Sequence, residues 1–339
     1  MGEKPRIRIS KLHARNLPPI ERLDWPEDGI GWNGEVPDTI VIGGINGSGK
    51  TTLLEAMVAA FETLEDEKFG SFAPYFDTAD SFLAMDLGLV PGKEGLVRWI
   101  ADERFSREKR FVKSDIARPR SDGELHYYQE LFPVEDLVRR DENGEHSYRV
   151  LYFPSEREWI SPETEFKAVG KLEEPDAPVY RWRRPEKWEQ SAERLLYNAD
   201  WKDGRALRDG RPEEAGAFES YARVFDKLSD GRKRLVWDKE DLLIEVEGGK
   251  RHPIDSLSSG ERQLLLLGVE LDHRWKPGSI VLIDEPELHL EAGSIARLWG
   301  LLTGLRKERG GQLIAATQSS YLFELADPGT TMLLGEGNL

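Results

Sequence analysis

Cysteine is missing from all 339 residues, which excludes disulfides, thiolate metal sites and a cysteine nucleophile. No apolar run approaches the roughly 20 residues that span a membrane as a helix. The opening Met1-Gly2-Glu3-Lys4-Pro5 lacks the apolar core of a secretion signal. The expectation is therefore a cytoplasmic protein without membrane contact. Histidine is scarce, six in all, and none stands in an HExxH or comparable metal spacing. No internal repeat, low-complexity tail or sustained heptad run is visible, so a long coiled coil is not expected. Positive charge is in deficit, with 47 Lys and Arg against 63 Asp and Glu, a formal net charge of −16. That field repels phosphate backbones and argues against a simple nucleic-acid binder.

Three stretches carry chemistry, in an order that describes a composite ATP site. The first, Gly44-Ile45-Asn46-Gly47-Ser48-Gly49-Lys50-Thr51, fits GxxxxGK[ST] between an apolar run at 39–42 and a helix-like segment at 50–64. Glycines there let backbone amides approach a polyphosphate, and the following helix N-terminus faces the anion. Asn46, Gly47, Ser48 and Gly49 would line the phosphates, Lys50 would reach the β- and γ-phosphates, Thr51 would ligate Mg²⁺, and Thr52 would add a further phosphate contact.

The second stretch is Ile280-Val281-Leu282-Ile283-Asp284-Glu285-Pro286, continuous aliphatics running into two carboxylates. Such a run reads as a strand buried on both faces, and open α/β sheets bind ligands at the carboxyl ends of their strands. Asp284 is placed for the Mg²⁺ shell and Glu285 for polarising the attacking water. The third stretch, Leu257-Ser258-Ser259-Gly260-Glu261-Arg262-Gln263, precedes the start of a buried helix at 264–271. It offers Ser258 and Gly260 as a second anion-binding surface.

These residues, with Asp284-Glu285-Pro286-Glu287-Leu288-His289-Leu290 and Ala316-Thr317-Gln318-Ser319, resemble the SMC/RecF-like branch of ABC-type ATPases, known as bacterial AAA-family ATPases. The Asp-Glu-Pro-Glu-Leu-His run is similar to that of overcoming-lysogeny-defect nucleases and related phage-defence ATPases. The resemblance implies an α/β P-loop fold with a mixed or parallel sheet, opened by antiparallel strands over residues 6–25. It implies an ATP-sandwiched dimer in which Ser258 and Gly260 serve the nucleotide on the other subunit. It also implies a separate effector, of nuclease type, in anti-phage defence. A DNA-stimulated repair ATPase and a nonhydrolysing ATP-bound scaffold are the alternatives.

Departures from the pattern are informative. Ser259 stands where glycine is commoner, Glu261 where transporters have glutamine, and Gln318, after a strand expected at 312–317, where a switch histidine is usual. Glutamine donates a hydrogen bond but forms no cation near neutrality, so slow turnover is expected. The loop that supplies a glutamine to metal and water has two rival positions, Gln129 and the turn Ser155-Glu156-Arg157. His289 reads either as part of a subunit contact or as a surface histidine. Basic clusters at 107–113, Arg181-Trp182-Arg183-Arg184 and Arg232-Lys233-Arg234 read as salt-bridged surface or, in the second case, as a single-strand contact.

By domain, residues 1–65 carry the first part of the ATPase unit and 186–339 the second. Residues 66–185 read as an insertion for partner specificity, with 172–185 as a connection. Helices are expected around 188–197 and 215–228, and short strands at 234–237 and 242–246.

Overall fold

Apolar alternation along the first strand changes phase once. Ile7 and Ile9 are buried before the change, Leu12 and Ala14 after it. The cause is a β-bulge between Ile9 and Lys11, where one extra residue turns the next side chains to the same face. The computed structural model describes residues 6–26, 36–62, 81–90, 96–102, 115–119, 125–128, 146, 148–157, 177–184, 191–238 and 241–335. Within them β1 (Arg6–Leu17) pairs antiparallel with β2 (Ile20–Trp25). Next come β3 (Thr39–Gly44) and α1 (Lys50–Glu62).

The expected insertion, residues 66–185, contributes β4 (Phe82–Val90), β5 (Leu96–Asp102), β6 (Asp115–Pro119) and β7 (Leu125–Tyr128) in its first part. They continue the opening pair into one antiparallel sheet of order β2-β1-β4-β5-β6-β7. Leu83, Met85 and Leu87 of β4 bury the alternate positions that pack on the core.

The second sheet is parallel throughout. It takes β8 (Val150–Phe153), β9 (Val179–Arg181), β13 (Ile280–Asp284), β14 (Gln312–Thr317) and β15 (Thr331–Leu334) with β3, in the order β15-β3-β14-β13-β8-β9. β9 lies inside the expected connection. Alternate residues of these strands face two cores. Ile40, Ile42, Tyr152, Leu282 and Ile314 pack on α1 and the antiparallel sheet. Val41, Phe153, Val281, Ile283 and Leu313 pack on the opposite face.

That face is covered by α2 (Ala192–Arg208), α3 (Ala217–Leu228), α4 (Ser259–Arg274) and α5 (Ala292–Arg309). A small sheet of β10 (Lys233–Asp238), β11 (Asp241–Val246) and β12 (Arg251–Pro253) leads into α4, and α6 (Ser320–Leu325) follows β14. This is the mixed α/β, P-loop architecture expected from the order of the motifs. α1 has small residues at Ala56, Ala59 and Ala60 and larger ones at Leu53, Met57 and Phe61, all buried, as a helix enclosed between two sheets requires.

One side chain ties the two sheets together. The fully buried Gln312 accepts from the Ile9 amide at 2.8 Å, while its Nε2 donates to the carbonyls of Ile9 and Pro37, each at 2.8 Å. It presents a peptide-like edge to the bulged strand, at the place where the bulge interrupts the ladder.

Candidate nucleotide site

Parallel pairing brings four carboxyl-terminal strand ends to one edge. Ile283 of β13 is level with Phe153 of β8, Asp284 with Ala316 of β14, and Ala316 with Ile42 of β3. The phosphate loop, the acidic pair, Gln318 and the turn at 154–157 are thereby neighbours although more than a hundred residues separate some of them in the chain.

In the phosphate loop Gly47 has φ 81°, a left-handed conformation that a side chain would disfavour. Gly49 needs the absence of a side chain for a second reason: a Cβ there would lie 2.6 Å from Cγ1 of Ile20. Lys50 is buried, and its Nζ donates to the carbonyls of Gly44 at 2.8 Å and Ile45 at 3.0 Å. Its ammonium is thus held inside the turn that carries the loop amides. Asn46 and Gly47 are exposed, Ser48 and Thr52 half-buried, and the Ser48 hydroxyl is buried without a hydrogen-bond partner.

Thr51 Oγ1 donates to Asp284 Oδ2 at 2.6 Å. The other carboxylate oxygen of this fully buried aspartate has no hydrogen-bond partner. An orphaned anionic oxygen beside a hydroxyl fits a hard cation that takes oxygen ligands. Among the described residues no group of three His, Cys, Asp or Glu side chains is placed to hold a metal. The pair therefore suits an ion completed by water and phosphate oxygens, as Mg²⁺ usually is. Burial pushes the Asp284 carboxyl above its ordinary range, against the pull of the Thr51 hydrogen bond and the Arg157 charge.

Glu285 adopts φ 44°, rare for a residue with a side chain, and such a backbone costs on the order of 1–3 kcal/mol. Its amide donates to Ala316 at 2.8 Å and its half-buried carboxylate accepts from Gln318 Nε2 at 3.2 Å. Burial raises the Glu285 pKa, and the charges of Asp284 and Glu287 raise it further. Glu287 adds a grip that residue spacing had not revealed. Its Oε1 accepts from the Thr317 hydroxyl and from the amides of Gln318 and Ser319, both at 3.2 Å. The acidic turn thus holds the backbone that carries Gln318.

Of the two rival positions for a metal-directed loop residue, Gln129 lies outside the described residues. The turn Ser155-Glu156-Arg157 stands at the site, but Arg157 is turned inward and buried. Its guanidinium donates to the carbonyls of Asp284 at 2.6 Å and Glu285 at 2.9 Å, as well as to that of Pro154. Burial pulls its pKa down to about 10, opposed by the charges of Asp284 and Glu287, so it remains a cation at neutral pH. Its own carbonyl accepts from Nε2 of Gln263, the last residue of the signature stretch.

Ser258 caps α4, accepting from the Glu261 amide at 3.3 Å, while Glu261 accepts from the Ser258 amide at 3.0 Å, a reciprocal capping box. Lys233 holds Glu261 at 2.6 Å. Burial pushes the Glu261 carboxyl up, but Lys233 and the Ser258 donors outweigh it and keep the pKa below the ordinary range. Ser258 and Ser259 are exposed, and a Cβ on Gly260 would lie 2.7 Å from the carbonyl oxygen of His289, so the signature stretch packs directly on the turn after β13.

Ion pairs engage part of two of the basic clusters. Trp182 is buried in the core, and Arg181 is paired with Glu55 and with Glu62 at 3.2 Å. Lys233 is engaged by Glu261, and Arg234 stands 3.3 Å from Asp226. Arg183 and Arg184 are exposed, and residues 107–113 lie outside those described. No helix among the described residues is long and apolar enough to cross a membrane.

The family model described as AAA domain, putative AbiEii toxin, Type IV TA system, matches residues 40–324. No curated protein matches the chain. Similar solved structures include an SMC head domain from Thermotoga maritima, 17% identical over 96% of this chain and 93% of that one, with a TM-score of 0.49. Another is an Smc head domain with an extended coiled coil bound to the C-terminal domain of ScpA, derived from Pyrococcus furiosus, 14% identical over 95% and 92%, with a TM-score of 0.45.

Proposed function

The chain belongs to the AAA-domain family of putative AbiEii toxins, whose match covers residues 40–324, and on that premise we infer that it is an ATP-hydrolysing switch that closes as a nucleotide-sandwiched dimer. The supporting observation is that the two phosphate-binding surfaces open into different cavities. Ser258, Gly260 and His289 line one of about 400 Å³. Asn46, Gly47 and Ser48 line another, and Gly44, Ile45 and Gln318 a third, neither of which contains a signature residue. A composite site is completed by a second copy, each giving its loop to one nucleotide and its signature to the other. Closure follows because ATP contacts both halves only in the closed pair.

Within each site, residues 46–52 receive the polyphosphate, and Lys50 neutralises its β- and γ-oxygens. Thr51 and Asp284 would hold Mg²⁺, which when bound offsets phosphate charge. Glu285 accepts a proton from, and orients, the attacking water, while Gln318 donates a hydrogen bond toward the γ-phosphate without adding charge. Turnover is accordingly slow and reopens the dimer. The partner that reads the closed state is a separate effector, of nuclease type, in anti-phage defence. The Asp-Glu-Pro-Glu-Leu-His resemblance supports that role.

ATP turnover and solution mass, measured for wild type and Glu285→Gln with and without DNA, test the reading. The expected result is ATP-driven dimerisation in both proteins, with turnover lost in the variant. Absence of both turnover and ATP-dependent association in wild type would sink it, and turnover seen only with DNA would put a repair role in its place.

A further inference from the structure

Arg157 is a charged side chain enclosed in the protein, yet among the described residues all of its hydrogen-bond acceptors are backbone carbonyls. Two of them, Asp284 and Glu285, carry the proposed metal-holding and water-orienting carboxylates. Glu285 is also the residue at φ 44°, so its carbonyl direction is fixed by the guanidinium and by Leu288, whose amide donates to the same oxygen at 3.1 Å. On the other side, Gln263 holds the Arg157 carbonyl from the first turns of α4. The contact is specific to an amide donor: Gln263 is buried and its Oε1 has no partner, so the side chain is placed there by its Nε2.

We propose that Arg157 is a positioning residue that links the signature helix to the acidic turn, setting the direction of the Glu285 carboxylate according to where α4 stands. The proposal rests on the ATPase reading for its consequence. In a sandwiched dimer the signature of a subunit serves the nucleotide of its partner, whereas Glu285 serves its own. The chain Gln263–Arg157–Glu285 then carries the occupancy of one site to the hydrolytic group of the other. A lysine at 157 supplies a point charge and cannot span both carbonyls as a planar fork does.

Two measurements on the full chain test this, with Arg157→Gln, Arg157→Lys, Gln263→Leu and the double variant Arg157→Gln/Gln263→Leu. In hydrogen exchange without nucleotide, the amides of Glu285 and Leu288 are expected to exchange on the order of tenfold faster in Arg157→Gln and in Gln263→Leu. The strands β3 and β14 should keep wild-type protection. The double variant should exchange no faster than Arg157→Gln, since both changes break one chain. In kinetics, kcat is expected to fall on the order of tenfold or more in Arg157→Gln and less in Arg157→Lys. Binding of a fluorescent ATP analogue should stay within about twofold, because the phosphate loop is untouched.

Unchanged exchange at Glu285 and Leu288 overturns the proposal, as does loss of protection spread evenly over the sheet or a parallel loss of nucleotide affinity. A wild type without turnover would overturn the switch reading instead, and the exchange data would still decide the role of Arg157.

Discussion

At the scale of residues, the acidic strand end opposes stability to use. Asp284 has lost its water, and Thr51, Arg157 and Lys50 do not fully compensate, so its folded-state pKa lies above the ordinary 3.8. For an acid shifted in this direction the favourable contribution is present below the unfolded pKa and is lost as pH rises through the folded one. At neutral pH the ionised carboxylate is therefore a net burden on the fold. Asp284→Asn keeps an acceptor for Thr51 and removes the charge, so it should raise Tm without nucleotide at pH 7 by on the order of 2 °C. The gain should shrink as pH falls through the raised folded-state pKa and be gone below the unfolded value of 3.8. Mg²⁺-dependent turnover should be lost in the same variant. Calorimetry across that range checks the sign: a lower Tm at pH 7 would mean that the charge stabilises the fold through Arg157 and Lys50.

At the scale of elements, Gln312 decides how the two sheets meet. Replacing it by leucine preserves volume but strands the amide and carbonyl of Ile9 and the carbonyl of Pro37, all reached at 2.8 Å by the glutamine. Each orphaned group costs about 1–3 kcal/mol, so Gln312→Leu should destabilise by about 3 kcal/mol or more. The midpoint of urea unfolding measures this, and a change under about 0.5 kcal/mol would show that Gln312 does not hold the sheets together. Elements of this kind divide into those that sequence makes visible and those it hides. β13 and β14 could be read because parallel strands buried on both faces are continuous apolar runs. The bounds of β14, Gln312–Thr317, coincide with the expected ones. β4 was not read, because a half-buried strand gives only a short alternation and its partner β1 lies some seventy residues earlier, outside any local pattern. The contacts made by Arg157, Gln263 and Gln312 escaped for a related reason: their partners are backbone groups, which leave no complementary side chain in the sequence. The phosphate loop and the acidic pair were legible since their chemistry prescribes both residue type and spacing.

At the scale of the whole molecule, the proposed dimer makes a prediction that neither motif makes alone. If each nucleotide lies between Lys50 of one copy and Ser258 of the other, Lys50→Ala and Ser258→Arg should each abolish turnover, since every site in either homodimer lacks one half. Mixing the two inactive proteins gives a different result. In a mixed pair both defects meet in one site, and the other site joins an intact loop to an intact signature. Random pairing makes half of the dimers mixed, each with one working site of two, so turnover should recover to about a quarter of wild type if sites act independently. Coupling through Gln263 and Arg157 would lower that figure, because the damaged site would restrain Glu285 of its neighbour. Adding Gln263→Leu to the Ser258→Arg chain, whose signature lies in the damaged site and whose Glu285 serves the intact one, should then release it. An equimolar mixture that stays inactive, while its solution mass shows dimers exchanging subunits, would mean that the loop and the signature do not act on the same nucleotide.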